Sequence, residues 1–592
     1  TIVAKSGGAQ ATKTIRRISS SNNVSFTTGS TSITIPFTGE EDVVSQYVAT
    51  TMTGDGEPVE DTITYKMCDK TGVTETTVKG VTFENGVLTV TSEAVPAVVT
   101  IVATNSEGLY ATVKVNIHGL NFVFGSAEAA EGYTQVTDTL YNDTLGFGFS
   151  NTGAITVNEN NVTGTASYTF KAKVPNGNYN VSVDTTSASM TSEVVETVPA
   201  ITGITKSGSS FQVAVCDGIL DLTFEANSTL STLSISQIPT KTALAKPMIY
   251  SIGDSTTKNS GHYSNYNSDK AAQAIDPTKW VDEREYSSWG NNVTEEMIPD
   301  EFSGYVNHGM AGRDSVNYYN QARVEAVLLA ICPGDYVTVN MGINSKEANE
   351  GASFETLLDN YYVKAIMDRG GIPVILTATP DGPLTGYGSY DESTNTFDVA
   401  RTDGARNPVL KKIAEKYGLD VIDVGQWGED YFNELAAANL TPEQILELAN
   451  TANSINVGYK APTTVLELVQ SWYPDHNHYT TEFGSKIAEY ILGELEKIYL
   501  EDNQPLSVEM TKSEDGQSVV VNASEEVSSV NLLKAVYNAD GSLNSVAVAA
   551  ESLNKGENTI AIGDAAPEGG SIKYILLDSV DTMVPLCDAL DI

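Results

Sequence analysis

At 592 residues the chain is too long for a single hydrophobic core, and a scale of about 100–200 residues per domain predicts three to five domains. Its formal charge of -42, from 76 acidic against 34 basic residues, leaves no basic surface to neutralise phosphates; nucleic acid and acidic partners are excluded, and the acidity reads as a solvated, soluble surface. With no run of about 18 apolar residues, membrane insertion is not expected, and residues 1–10 lack the basic start and apolar stretch of a signal peptide.

From 18 to 117, short alternating strands such as Gly86-Val87-Leu88-Thr89-Val90 and Val98-Val99-Thr100-Ile101-Val102-Ala103 are separated by turn residues. This pattern predicts an antiparallel sandwich over 1–118, its first 17 residues forming a tail or an edge strand. It resembles a bacterial immunoglobulin-like domain. Residues 119–240 are again all strand, and Asn176-Gly177 between two alternating runs predicts a β-hairpin. With Phe122-Val123-Phe124-Gly125, Gly132-Tyr133-Thr134 and Gly146-Phe147-Gly148-Phe149, the segment resembles the galactose-binding-like jelly roll found ahead of esterase domains. Its aromatics read as buried core in preference to a sugar-stacking surface.

The period changes in 241–502. Apolar strands at 248–252, 336–340, 373–376 and 421–424 alternate with helical stretches at 320–330, 354–369, 408–417, 442–452 and 484–499. Such alternation predicts a parallel sheet with helices on both faces and active loops at the strands' carboxyl ends. The last segment, 503–592, returns to short strands, with Asp540-Gly541 as a hairpin turn, and reads as a small sandwich for packing or surface display. Cys68, Cys216, Cys332 and Cys587 fall one into each module, so four buried thiols without intramodular disulfides are expected. The Ser, Thr, Asn and Gly richness of the first 240 residues with little lysine suggests a secreted bacterial protein, extracellular or on the cell surface.

The chemistry-bearing text begins where an apolar strand runs into Gly253-Asp254-Ser255. A serine hydroxyl needs an imidazole to take its proton and a carboxylate to fix that imidazole's tautomer. The chain has five histidines, His118, His262, His308, His476 and His478; only His478 follows an aspartate, Asp475, by three residues just ahead of a helical segment. That spacing sets Asp475 and His478 on one side of a turn. Acyl transfer also needs donors aimed at the developing oxyanion. The loop Asn307-His308-Gly309-Met310-Ala311-Gly312-Arg313 offers the N–H of Gly312, and the strand running into Gly342-Ile343-Asn344 offers the amide of Asn344.

These four blocks, in this order, resemble those of the SGNH (GDSL-type) hydrolases, and within them the rhamnogalacturonan acetylesterases. Supporting text is Ser288-Trp289-Gly290, Ala311-Gly312-Arg313, Asp335-Tyr336-Val337 and Tyr473-Pro474-Asp475-His476-Asn477-His478. The resemblance implies a multidomain chain: an α/β SGNH-type three-layer hydrolase domain with three all-β sandwich modules. It implies Ser255 as nucleophile, His478 as general acid and base, Asp475 as its orienter, and an oxyanion hole from the N–H of Ser255 and Gly312 with the side chain of Asn344. No metal or organic cofactor is called for. The expected substrate is an acetylated plant polysaccharide or oligosaccharide, pectic rhamnogalacturonan first; acetylated xylan or mannan, or a lipid or thioester, remain open. His262, Trp280, Trp289 and Arg313 are candidate substrate-binding residues. Ser345 stands where the family usually has aspartate, and Asp314 where the acetylesterases have serine. The loop Asp391-Glu392-Ser393-Thr394-Asn395 lacks the glycine of a calcium loop and reads as solvated. The reading from another class is a non-catalytic glycan-binding surface protein with a relic hydrolase domain.

Overall fold

The computed structural model describes all residues except 1, 7–8, 14–21, 37–40, 55, 131, 152–154, 196–197, 199, 259–286, 347–352, 384–387, 450–461, 474–475, 504–506, 514–517, 562–566, 581–582 and 592. The chain divides into two compact units, Thr1–Leu492 and Gly493–Ile592. At the centre of the first is a five-stranded, all-parallel sheet in the order Gly304–Asn307, Met248–Gly253, Tyr336–Asn340, Ile372–Leu376, Val421–Ile422. Its inner strands are buried along nearly their whole length, which is why they read as continuous apolar runs and not as alternating ones.

Two departures from the expected helices have local causes. The stretch expected at 320–330 is two helices, Ser315–Asn320 and Arg323–Ala330, broken at Ala322, whose φ is 58°. The last residue of the first helix, Asn320, binds Ala200 O (3.1 Å) and Thr202 N (3.1 Å) in the preceding β region. The strand expected to 424 stops at Ile422, because the Asp423 carboxylate accepts from Gln426 N (3.3 Å) and caps the helix Val424–Ala437.

The region before this sheet is β throughout. A small antiparallel hairpin, Ile2–Ser6 with Ala9–Lys13, precedes three short sheets spanning 23–118, packed around Tyr47, Leu88, Val90, Ile101, Val115 and Ile117. Between 121 and 237 two larger sheets enclose Phe122, Phe124, Phe147, Phe149, Tyr168 and Phe170, each at most 3% exposed and joined edge to face or tilted. These aromatics are interior packing.

Asn176-Gly177 does not make the expected hairpin. The strand before it, Tyr168–Lys173, pairs with Phe147–Phe149 and Ile219–Phe224, whereas the strand it opens, Gly177–Thr185, lies in the other sheet against Ser210–Val215 and Thr229–Gln237. The corner is spent on the α/β region: Asn176 Nδ2 donates to Asp368 (2.8 Å), and Arg369 donates to Gly177 O (2.9 Å), Asn178 Oδ1 (2.8 Å) and Val215 O (3.1 Å). Beside it a single buried cluster runs from Val195, Ile201, Ile204 and Cys216 into Tyr319, Val327, Leu328 and Tyr361 of the α/β region. A buried ion pair, Lys206 Nζ to Glu325 Oε2 at 2.5 Å, completes this junction.

The second unit is a sandwich of a three-stranded sheet, Val508–Lys512, Ser518–Ala523, Gly556–Ala561, and a four-stranded one led by the hairpin Val527–Tyr537 and Leu543–Leu553. All four cysteines are free; Cys68 and Cys216 are buried as expected, whereas Cys332 and Cys587 are only half-buried. Cys332 follows directly on a helix end and Cys587 lies near the edge strand Leu590–Asp591, both close to solvent.

Candidate active site

The strand Met248–Gly253 ends in a tight turn. A Cβ on Gly253 would lie 2.2 Å from Thr257 Oγ1, so only glycine lets the chain fold back there. Thr257 N and Lys258 N both donate to Asp254 O (3.2 and 2.9 Å), closing one helical turn that carries Ser255, 6% exposed, at its head. The Asp254 carboxylate is fully buried and accepts from the N–H and hydroxyl of Thr256, each at 3.0 Å. Burial pushes this carboxyl up, offset by the Thr256 hydrogen bonds and the charges of His478 and Arg401.

Beneath the turn, Asn340 at the end of the next strand acts as a hub. Its Oδ1 accepts from Thr256 Oγ1 (3.1 Å), Thr257 Oγ1 (3.0 Å) and Trp289 Nε1 (3.5 Å), and its Nδ2 donates to Thr377 O (3.0 Å). A buried amide satisfied on both ends fixes the geometry around it. From the other side Tyr479 closes the site. Its hydroxyl donates to Thr256 O at 2.8 Å and accepts from Trp289 N at 3.3 Å, while its carbonyl accepts from Ser287 N at 2.9 Å. His478, the residue before it, is thereby held beside the turn that carries Ser255, and its Nε2 is a buried atom.

The glycine loop is tied to the same turn. His308 N and Met310 N donate to Ser251 O and Gly253 O (2.9 Å each), and Asn307 Nδ2 donates to Thr257 O (2.6 Å) and Lys258 O (2.9 Å). Gly312 has φ 69°, the left-handed region that favours glycine, and nothing would touch a Cβ there, so its backbone faces open space. The amide of Asn344 donates to Arg313 O at 3.3 Å, which brings Asn344 to the Gly312 loop. The two departures from the family pattern keep structural jobs. Asp314 caps the helix Ser315–Asn320 by accepting from Asn317 N (2.7 Å), and Ser345 Oγ accepts from Ser315 N (3.1 Å).

A third loop supports the site from behind. Arg401, Ala405 and Arg406 are all left-handed non-glycine residues, with φ of 53°, 49° and 64°, each a conformation costing about 1–2 kcal/mol. Asn407 holds the bend by donating to Arg401 O (3.1 Å) and accepting from Ala378 N (2.9 Å). Gly342 packs against this loop so closely that a Cβ would sit 2.1 Å from Ala405 O.

Of the residues named from sequence, Ser255, Gly312, Asn344 and His478 lie on loops tied to one another; Asp475, His262 and Trp280 lie outside the described residues. Trp289 is corrected: it is fully buried, its indole braced against Asn340, and lines no surface. Arg313 is half-buried, its guanidinium bonded to Gln321 Oε1 and Ala311 O (2.9 Å each). His476 is half-buried, its carbonyl accepting from Gly382 N (2.9 Å). The 391–395 loop is an exposed hairpin turn in which Asp391 accepts from Ser393. Sequence reading missed Asn340, Tyr479 and Arg401. The available signal was a polar residue closing an apolar strand and an aromatic directly after the histidine.

Residues 120–239 match the family described as beta-agarase/YXIM esterase-like, galactose-binding domain-like. Over 293 residues the chain is 26% identical to the uncharacterized esterase YxiM of Bacillus subtilis, covering 47% of this chain and 67% of that protein. The crystal structure of YxiM from B. subtilis is similar over 64% of this chain and 98% of that one, with 22% identity and a TM-score of 0.31. A two-domain esterase active on acetylated mannans is similar over 56% of this chain and 89% of that one, with 12% identity and a TM-score of 0.23.

Proposed function

We propose that the chain is a carboxylic ester hydrolase of the SGNH type, an extracellular or cell-surface carbohydrate esterase that removes O-acetyl groups from plant polysaccharide, with acetylated rhamnogalacturonan the first substrate to test. The observation that carries this reading is the closure by Tyr479, whose hydroxyl bonds to Thr256 O at 2.8 Å and so joins the histidine segment to the nucleophile turn. Sequence similarity to an esterase supports it.

In the reaction, Ser255 Oγ attacks the acetyl carbonyl while His478 Nε2 takes its proton; the oxyanion is met by the N–H groups of Ser255 and Gly312 and the amide of Asn344. The sugar hydroxyl leaves with the proton from His478. Water, deprotonated by the same imidazole, then attacks the acyl-enzyme and acetate departs. Asp475 holds the imidazole tautomer. The hub at Asn340 keeps the serine turn from relaxing between these steps, since its four hydrogen bonds span three loops.

Ser255→Ala is expected to lower turnover of a small aryl acetate by about 10⁴-fold or more. Wild-type turnover in that variant would overturn the nucleophile assignment. Acetate release from acetylated pectin, xylan and mannan then ranks the substrates; release from mannan or xylan with none from pectin would move the assignment to those glycans.

A further inference from the structure

Arg401 is a charged side chain, 10% exposed, that lies outside the four blocks in sequence and contacts the histidine segment. One of its terminal nitrogens, Nη2, makes three contacts. It pairs with Asp381 Oδ1, donates to Asn477 Oδ1 at 2.5 Å, and reaches His476 O at 3.4 Å. Asp381 belongs to the loop after the strand Ile372–Leu376, and that loop makes a second bond to the histidine segment through Gly382 N and His476 O (2.9 Å). Three chain segments thus meet on one guanidinium. The left-handed backbone at Arg401 is what turns its side chain into this junction, and Asn407 holds that backbone in place.

Resting on the esterase reading above, we infer that Arg401 is a positioning residue: through Asn477 and His476 it fixes the base His478 against the turn that carries Ser255. A guanidinium suits this task because its planar end holds Nη2 at a fixed angle among these acceptors and its charge is permanent, which an ammonium on a flexible stem does not match. The same loop reaches the oxyanion side: Arg406 Nε donates to Ser345 O at 2.7 Å, one residue from Asn344. The segment 401–406 therefore spans from the base to the oxyanion donor, and a displacement of Arg401 loosens the base end of that span. Among the described residues, the titratable groups its charge reaches include Asp381, Asp254 and Tyr473.

Steady-state kinetics on an aryl acetate test the inference in the full-length protein, with His478→Ala as reference. Arg401→Met should lower kcat about 10- to 100-fold with KM within about twofold, because misplacing a base acts on the chemical step. Arg401→Lys should recover part of kcat. Asn477→Ala, which removes the tether and keeps the arginine, should lower kcat with KM again within about twofold, and it carries the test if Arg401→Met does not fold. Wild-type kcat in Arg401→Met or in Asn477→Ala would overturn the positioning role while leaving the esterase reading intact. Wild-type turnover in His478→Ala would instead overturn the esterase reading.

Discussion

Two β regions flank the α/β sheet in sequence, and they differ in whether they share an interior with it. The one at 121–237 encloses a core of its own between its two sheets and also shares a second: Val195, Ile201, Ile204 and Cys216 belong to the same buried cluster as Tyr319, Val327 and Tyr361, and the Lys206–Glu325 pair is buried where they meet. The C-terminal sandwich has a core drawn from its own two sheets, with Val519, Val521, Val530, Leu553, Tyr574 and Leu576 at its centre. Its hairpin strand Leu543–Leu553 leaves Leu543, Val546 and Val548 about half exposed. The contrast teaches that a module's family likeness does not tell whether it is an appendage. A region can carry the pattern of a carbohydrate-binding jelly roll and still serve as a wall of its neighbour's interior.

The comparison breaks first at the ion pair. Lys206→Met leaves Glu325 charged and uncompensated in the interior and should destabilise the first unit by about 3–5 kcal/mol, read from its urea midpoint. The double variant Lys206→Met/Glu325→Leu should recover most of that loss. A single-variant effect below about 1 kcal/mol would mean the junction is solvated and the two regions are separable.

A smaller effect follows from carboxylates. Burial raises Asp221 to about 6 and pushes Glu193, also at this junction, well above its ordinary range. The folded chain thus holds a proton on Asp221 that an unfolded carboxyl, titrating near 3.9, has lost, so this group's contribution falls as pH rises from about 4 to 6, by up to about 3 kcal/mol. In the C-terminal sandwich the sign reverses, because Ser542 hydrogen bonds hold the exposed Asp540 below the usual range and its contribution is lost as pH falls. Thermal melts of wild type and Asp221→Asn between pH 4 and 7 should converge or cross as pH rises. Parallel curves would remove the acid cluster from the account. The smallest expected effect sharpens the other side: Val548→Lys, on the exposed strand, should change stability by no more than about 0.5 kcal/mol in the melting of the second unit.

Much of the α/β sheet is legible in sequence because a parallel strand buried on both faces must be apolar throughout, and its ends are marked by glycine. Four blocks that resemble those of SGNH hydrolases make Ser255, Gly312, Asn344 and His478 readable as candidates. Helix Val424–Ala437 escapes the pattern because it contains Gly425 and Gly428, poor helix formers whose absent side chains are required: Cβ atoms there would meet Ala400 O and Pro380 Cγ, each at 2.4 Å. The roles of Asn340 and Arg401 are illegible for a different reason. Each acts through partners brought close by the fold, more than 75 residues away for Asn340 with Thr256 and Arg401 with Asn477, and no local spacing encodes that. Trp289 misleads because an indole serves equally as glycan platform and as core, and only the packing around it decides.

The bond from Tyr479 to Thr256 joins residues 223 positions apart. Closing so long a loop costs more entropy than a local turn, a cost that pairing of the strands between its ends reduces. During synthesis the nucleophile turn emerges long before the segment that completes it, so a nascent chain carries an unassembled serine until Tyr479 has left the ribosome. Assembly of the candidate site thereby waits on the chain as far as Tyr479.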